Sequence, residues 1–273
     1  MSEIEHPPLL DKMLEGREQD DRTDHLIHAF SKRWDFNHRG SQLIYLPVDK
    51  ESDDGITFCF GRIGKQVVDH VNEGPERLFE KKQQTSWRAS NLVLNTGSDP
   101  DGQKLAIQER GDIGKPLAIV NSLVQHINAE LEKSGWVITA NVISEKSTFW
   151  EATEKYKGQI TKAEFSYVTP NILGIRSQLN KRLKDYRERE NAQLVLVTVT
   201  IQEPKGHLRF DTEEVQDAIE YISEGGGSVK LKAGKEKIFD SKDSAKAKDA
   251  ESDDSTAIDD KNGRQGLIKR FFK

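Results

Sequence analysis

The sequence predicts an α+β fold: a β-rich first part, then alternating helices and strands with helices layered on a sheet, then a disordered C-terminal tail. Three observations predict it. Between residues 41 and 110, short β-branched and aromatic runs alternate with clusters of turn formers. From 115 onward, helix-period and strand-period segments alternate. After Ser241, apolar residues almost vanish until Leu267, and such a stretch cannot offset its ordering entropy. The expected organisation is a polar segment over 1–40, a β-rich part over 41–114, an α/β part over 115–240, a disordered linker over 241–264 and a terminal amphipathic peptide over 265–273.

In order along the chain, "DHLIHAFSKRW" reads as a short helix, with Leu26, Ile27, Phe30 and Trp34 near helical spacing. "QLIYLPV" and "GITFCFGRI" read as strands separated by "KESDDG", and "SNLVLNT" and "QKLAIQE" as strands around "GSDPDG". "KPLAIVNSLVQHINAELEKSG" is the clearest helix: Leu117, Val120, Val124, Ile127 and Leu131 recur at three- and four-residue steps, and Gly135 stands at a C-cap position. Next come "WVITANVIS" as a strand, "STFWEATEKY" as a helix and "QITKAEFSYV" as a strand. "RSQLNKRLKDYRERE" is a helix with a basic face. "QLVLVTVTI" is apolar on one side and partly on the other, which predicts a central strand. "DTEEVQDAIEYISEGGG" is a helix with a capping start and a glycine stop. "SVKLKAG" and "EKIFDS" close the body as a hairpin.

Composition narrows the function classes. Of 273 residues, 34% are hydrophobic and 32% charged, a low apolar share for a chain that is core throughout. A net charge of -5 argues against a globally basic nucleic-acid binder and leaves room for a local basic face. The single cysteine, Cys59, excludes an internal disulfide and a cysteine-based zinc site, which fits a reducing compartment. The first residues carry no apolar core of a secretory signal, and no apolar run reaches membrane-spanning length. The expected location is the cytoplasm, with peripheral attachment at the inner membrane if the terminal peptide docks there.

No catalytic constellation stands out, so the chain is not expected to be an enzyme, and no cofactor or metal is expected. His25 and His28 lie near Asp21 and Asp24, but histidines three apart on a helix are common without metal. Cys59 sits in "TFCF" and reads as a small buried thiol. "GRIGKQ" has the wrong spacing for a phosphate loop, and Gln66 stands where a hydroxyl is needed.

Two stretches carry binding chemistry. In the basic helix, Arg176, Lys181, Arg182, Lys184, Arg187 and Arg189 outnumber Asp185, Glu188 and Glu190. Arg176, Lys181, Arg182 and Lys184 are the candidate phosphate ligands. The bland alternative pairs Arg182, Asp185 and Arg189 on a solvated helix face. In "RQGLIKRFFK", helical spacing puts Leu267, Ile268, Phe271 and Phe272 on one arc and Lys269, Arg270 and Lys273 on the other. That segregation suits an anionic membrane surface and resembles the C-terminal targeting helices of division-site ATPases of the MinD type. Gln265, Ile268, Phe271 and Phe272 also match Q-x-x-Φ-x-x-F-F, the peptide that docks on sliding clamps. A third reading packs the tail back on its own body.

The order of elements from 41 to 240, with "FGRIGK", "YVTPN" and "EGGGSVK" as its most recognisable pieces, resembles the RexA phage-exclusion proteins of lambdoid prophages. The resemblance implies a cytosolic sensor of phage infection that binds DNA and acts through a membrane partner. The tail departs from that pattern and points to a chain that reaches the membrane by its own terminus. The expectation is therefore a non-enzymatic sensor of a bacterial anti-phage system. It binds nucleic acid or a phage component, and its C-terminal peptide tethers it to the membrane or a partner. A metal-dependent nuclease of such a system and a sliding-clamp-binding replication accessory are the alternatives. The partners this implies are DNA, an anionic membrane or membrane effector, a sliding clamp, and a second copy of the chain.

Overall fold

The computed structural model describes residues 22–97, 103–132, 136–169, 178–201, 208–248 and 257–273. Among them the fold is α+β, with two antiparallel sheets and a strand-rich N-terminal part. The chain divides into two compact units, Met1–Ala140 with Asp249–Lys273, and Asn141–Lys248. The division falls at 140/141 and not at 114/115. The reason is that Ile119, Leu123 and Ile127 of the clearest helix belong to the core of the first sheet.

The first unit is a meander of β1 (Trp34–His38), β2 (Ser41–Asp53), β3 (Ile56–Asn72), β4 (Lys81–Asn95) and β5 (Leu105–Ile107), in that order. The β1–β2 and β2–β3 turns are two residues each, Arg39–Gly40 and Asp54–Gly55. All four have positive φ, the geometry that matches strand twist in tight hairpins. "KESD" is thus strand, and only the final Asp-Gly turns. One face of the sheet buries Phe36, Leu43, Tyr45, Cys59 and Ile63 against α1 (residues 22–30) and α2 (Pro116–Glu130). The Tyr45 hydroxyl donates to the Phe30 carbonyl at 2.8 Å and Trp34 Nε1 to the Ala29 carbonyl at 2.7 Å, so the polar tips of both rings are satisfied. The opposite face shows Phe58, Phe60 and Val93, which explains why Phe58, Cys59 and Phe60 are apolar at consecutive positions: β3 is covered on both sides there.

Past Lys65, β3 has no β2 partner, and Gln66–Asn72 pairs only with Lys81–Trp87. This two-stranded arm is about 24 Å long at ~3.4 Å per residue. At its tip Leu78 and Phe79 are exposed, with φ of 51° and 57°. The expected strand "WVITANVIS" forms no ladder in residues 136–143. Ile138 instead has its backbone N–H and C=O bracketed by the Asn128 side-chain amide, at 2.9 and 2.8 Å.

The second unit holds a four-stranded sheet ordered β7-β6-β8-β9. Its strands are β6 (Lys162–Val168), β7 (Leu194–Thr200), β8 (Gly227–Ala233) and β9 (Glu236–Asp240). Its helices are α3 (Lys146–Lys155), α4 (Gln178–Glu190) and α5 (Glu213–Tyr221), and α5 is N-capped by Thr212. Phe149, Leu183 and Ile219 from the helices meet Phe165, Tyr167, Val229 and Leu231 on one sheet face. β7, expected in the middle, is an edge strand; the central places go to β6 and β8.

The region expected to be a disordered linker is ordered where it is described. Ser241–Asp243 forms a helical turn capped by Asp240, and the Ser241 hydroxyl accepts from the Val229 N–H at 2.9 Å. The linker residues 249–256 lie outside the described residues. Beyond them, Asp260 caps α6 (Lys261–Phe272) by accepting from the Gly263 N–H at 2.8 Å.

Candidate functional site

On α4, Arg176 lies outside the described residues, while Lys181 and Arg182 are exposed and Lys184 is half-buried. Leu183, on the opposite side, anchors the helix in the core. Positions 182, 185, 186, 189 and 190 follow the i, i+3, i+4, i+7 rule and share one flank. Arg182, Asp185, Tyr186, Arg189 and Glu190 line an open depression of about 260 Å³ there, and Tyr186 is 43% exposed. Lys184 pairs with Glu188 at 3.3 Å. Among the described residues, Lys181, Arg182, Arg187 and Arg189 form no ion pair within 4.0 Å, so the Arg182–Asp185–Arg189 ladder of the bland alternative is not made. Several lysines elsewhere in this unit are paired: Lys157 with Glu154 at 3.3 Å, Lys162 and Lys232 with Glu164 at 2.6 and 3.2 Å, and Lys230 with Asp240 at 3.6 Å. α4 thus carries four cations outside any ion pair, with Asp185 and Glu190 sharing the depression that Arg182 and Arg189 line.

The terminal peptide is α6, and its apolar arc is occupied. Leu267 and Ile268 are buried with Ile258 against Phe58, Phe60 and Val93, while Phe271 and Phe272 pack at the margin. The Phe272 ring lies 5.6 Å from that of Phe58. Arg264 is buried, with Nε 2.9 Å from Glu51, Nη2 2.7 Å from Asp49 and Nη1 donating to the Ile258 carbonyl at 3.1 Å. Lys273 bridges Asp53 and Asp54 at 2.6 and 2.9 Å, and these hydrogen bonds raise its pKa. Gln265 is half-buried, Lys269 exposed, and Arg270 stands over the Phe271 ring at 5.9 Å. The free docking face that the tail's own letters suggest is, in the folded chain, the cover of the second face of the first sheet.

The sequence reading missed the arm. Leu78, 86% exposed, and Phe79 crown a ribbon that is solvent-exposed on both faces, Val68, Val71 and Trp87 included, and such strands lack the one-sided alternation that marks a strand in sequence. "NEGP" was the available turn signal. "GRIGKQ" lies wholly within β3 and forms no loop. Among the described residues no group of three His, Cys, Asp or Glu side chains gathers as metal ligands would.

Cys59 is fully buried, and burial pushes its thiol up to about 11. Native protein at pH 8 is accordingly expected to resist iodoacetamide, with full labelling after denaturation; rapid labelling of the native chain, read by intact mass, contradicts this. No protein-family model, curated protein or solved structure matches the chain.

Proposed function

We propose that this protein is a non-enzymatic binding module that holds nucleic acid along α4. The observation that carries the reading is the pair Arg182 and Arg189, neither in an ion pair, lining one depression with the exposed Tyr186, with Lys181 and Arg187 unpaired elsewhere on the helix. Guanidinium groups suit phosphate, because their planar donors meet its oxygens in pairs and binding releases counterions. A tyrosine ring between two arginines offers an unpaired base a stacking platform. The chain's layout, with its likeness to the RexA type, supports a setting in bacterial anti-phage defence. In this reading α6 is first a structural element. Attachment to a membrane or a clamp through Leu267, Ile268, Phe271 and Phe272 requires its release from β3.

The test is fluorescence anisotropy with labelled single-stranded and duplex DNA across a salt series. Wild-type affinity is expected to fall linearly with log salt. Arg182→Glu with Arg189→Glu is expected to make that slope shallower by about 1.4–1.8, because each lost phosphate contact removes ~0.7–0.9. Tyr186→Ala is expected to lose about 1–3 kcal/mol on single strands and little on duplex. A charge-reversed chain that is equally folded and has unchanged affinity and slope refutes the reading.

A further inference from the structure

β7 has the composition of a sheet's interior and the position of its edge. Its seven residues, Leu194–Thr200, contain no charge and no proline, and its pairing with β6 runs without a bulge. These are the devices by which edge strands are ordinarily kept from pairing. Val195, Val197 and Val199 stand opposite Tyr167, Phe165 and Ala163, on the helix-covered face. Leu194, Leu196, Thr198 and Thr200 stand on the other face. The helix cover ends at Val195, which is half-buried: Val197 and Val199 on that face are exposed, as are Leu194 and, at 71%, Leu196 on the other.

The ladder shows which backbone groups are unused. The Ile201 N–H donates to the Thr161 carbonyl at 3.0 Å and the Thr169 N–H to the Gln193 carbonyl at 3.2 Å. Odd-numbered residues therefore turn their backbone groups toward β6. In an antiparallel ladder the even-numbered ones must turn theirs away. Leu194, Leu196, Thr198 and Thr200 thus offer four N–H and four C=O groups to the open edge, where no strand of the described residues pairs with them.

We propose that β7 pairs antiparallel with β7 of a second copy of this chain about a two-fold axis at Val197, joining two four-stranded sheets into one of eight. The strand is complementary to itself. That register sets Leu194 against Thr200, Val195 against Val199, Leu196 against Thr198 and Val197 against its own mate. Every pair is uncharged, and the even residues meet as hydrogen-bonded pairs. A two-fold contact also closes, because one pairing consumes the open edge of both copies, whereas a head-to-tail strand pairing leaves a free edge to grow. The same axis puts both α4 helices on one side of the joined sheet, since α4 packs on the face that carries Phe165 and Tyr167. The pairing does not depend on nucleic acid and is tested without it.

The experiment uses the full chain and its own cysteine economy. Cys59 is buried, so a new surface thiol reports alone. Val197→Cys places two thiols across a non-hydrogen-bonded pair, where Cα atoms lie about 4.5 Å apart, within disulfide reach. Leu196→Cys is the control, since its symmetry mate lies two residues along the partner strand, roughly 8 Å away and out of reach. Sedimentation is expected to give twice the 31.0 kDa chain mass. Val197→Cys is expected to form a disulfide dimer on a non-reducing gel, and Leu196→Cys is not. Leu196→Pro removes an outward N–H without a cost to the β6 ladder and is expected to yield a monomer with unchanged circular dichroism. A wild type that stays monomeric across the concentration range overturns the proposal, and so does a dimer that neither cross-links through Val197→Cys nor yields to Leu196→Pro. In the monomer case the edge is covered by this chain or by another partner.

Discussion

Replacing Arg264 by alanine is expected to destabilise the first unit by about 3–5 kcal/mol, the range for removing one partner of a buried ion pair. The guanidinium is almost fully enclosed and reaches Glu51, itself enclosed, as well as the Ile258 carbonyl. Without it, the Glu51 carboxylate and a carbonyl lose their donors in a place water reaches poorly. Asp49 is half in solvent, so its contact adds little. Arg264→Leu combined with Glu51→Leu is expected to recover most of the loss, because an apolar pair of similar volume leaves no stranded charge. Urea denaturation reads the stability, and limited proteolysis reads release of α6 as cleavage beyond Ile258. An Arg264→Ala chain with wild-type midpoint and wild-type protease resistance would show that α6 is not held by this pair.

Gly227→Ala is the second large effect, with an expected loss of about 2–6 kcal/mol from backbone strain and overpacking together. Gly227 opens β8 at φ 155°, directly across from Tyr167. An added Cβ overlaps the Ser166 carbonyl oxygen and lies 3.1 Å from Tyr167 Cα. Both obstacles are backbone of the neighbouring strand, so relief requires opening the β6–β8 ladder on which Phe165 and Val229 pack. Gly234, in the β8–β9 turn at φ 61°, has nothing within 4 Å of an added Cβ. Gly234→Ala is therefore expected to cost only about 1–2 kcal/mol, the left-handed penalty alone. Thermal melts of the two variants separate the cases, and equal losses contradict the packing account.

What could be read from the letters follows from which partner each residue needed. α2 was legible because its burial stripe is written within one element, and α5 because Thr212 and the glycines after Tyr221 mark its ends locally. The β8–β9 hairpin was legible for the same reason. β7 was misplaced because an apolar strand looks alike whether its neighbours are in the same chain or elsewhere; position in a sheet is a non-local property. The distal halves of β3 and β4 were missed because a ribbon wet on both faces has no buried period. For α6, the amphipathic arc was legible and its occupant was not. Lipid, a clamp and a sheet face all ask for Leu267, Ile268, Phe271 and Phe272 in that arrangement. The deciding signal lay 200 or so residues earlier, in a strand run apolar at both parities when α1 and α2 can cover only one. On α4 the cationic stripe was plain from composition, but whether its arginines find carboxylates depends on rotamers that spacing does not determine.

The first unit is assembled from two stretches of chain with the whole second unit inserted between them. A ribosome therefore delivers Phe58 and Phe60 long before Leu267 and Ile268, an interval of about 10–40 s at ~5–20 residues per second. Until α6 arrives, Phe58, Phe60 and Val93 lack the cover that Ile258, Leu267 and Ile268 give them.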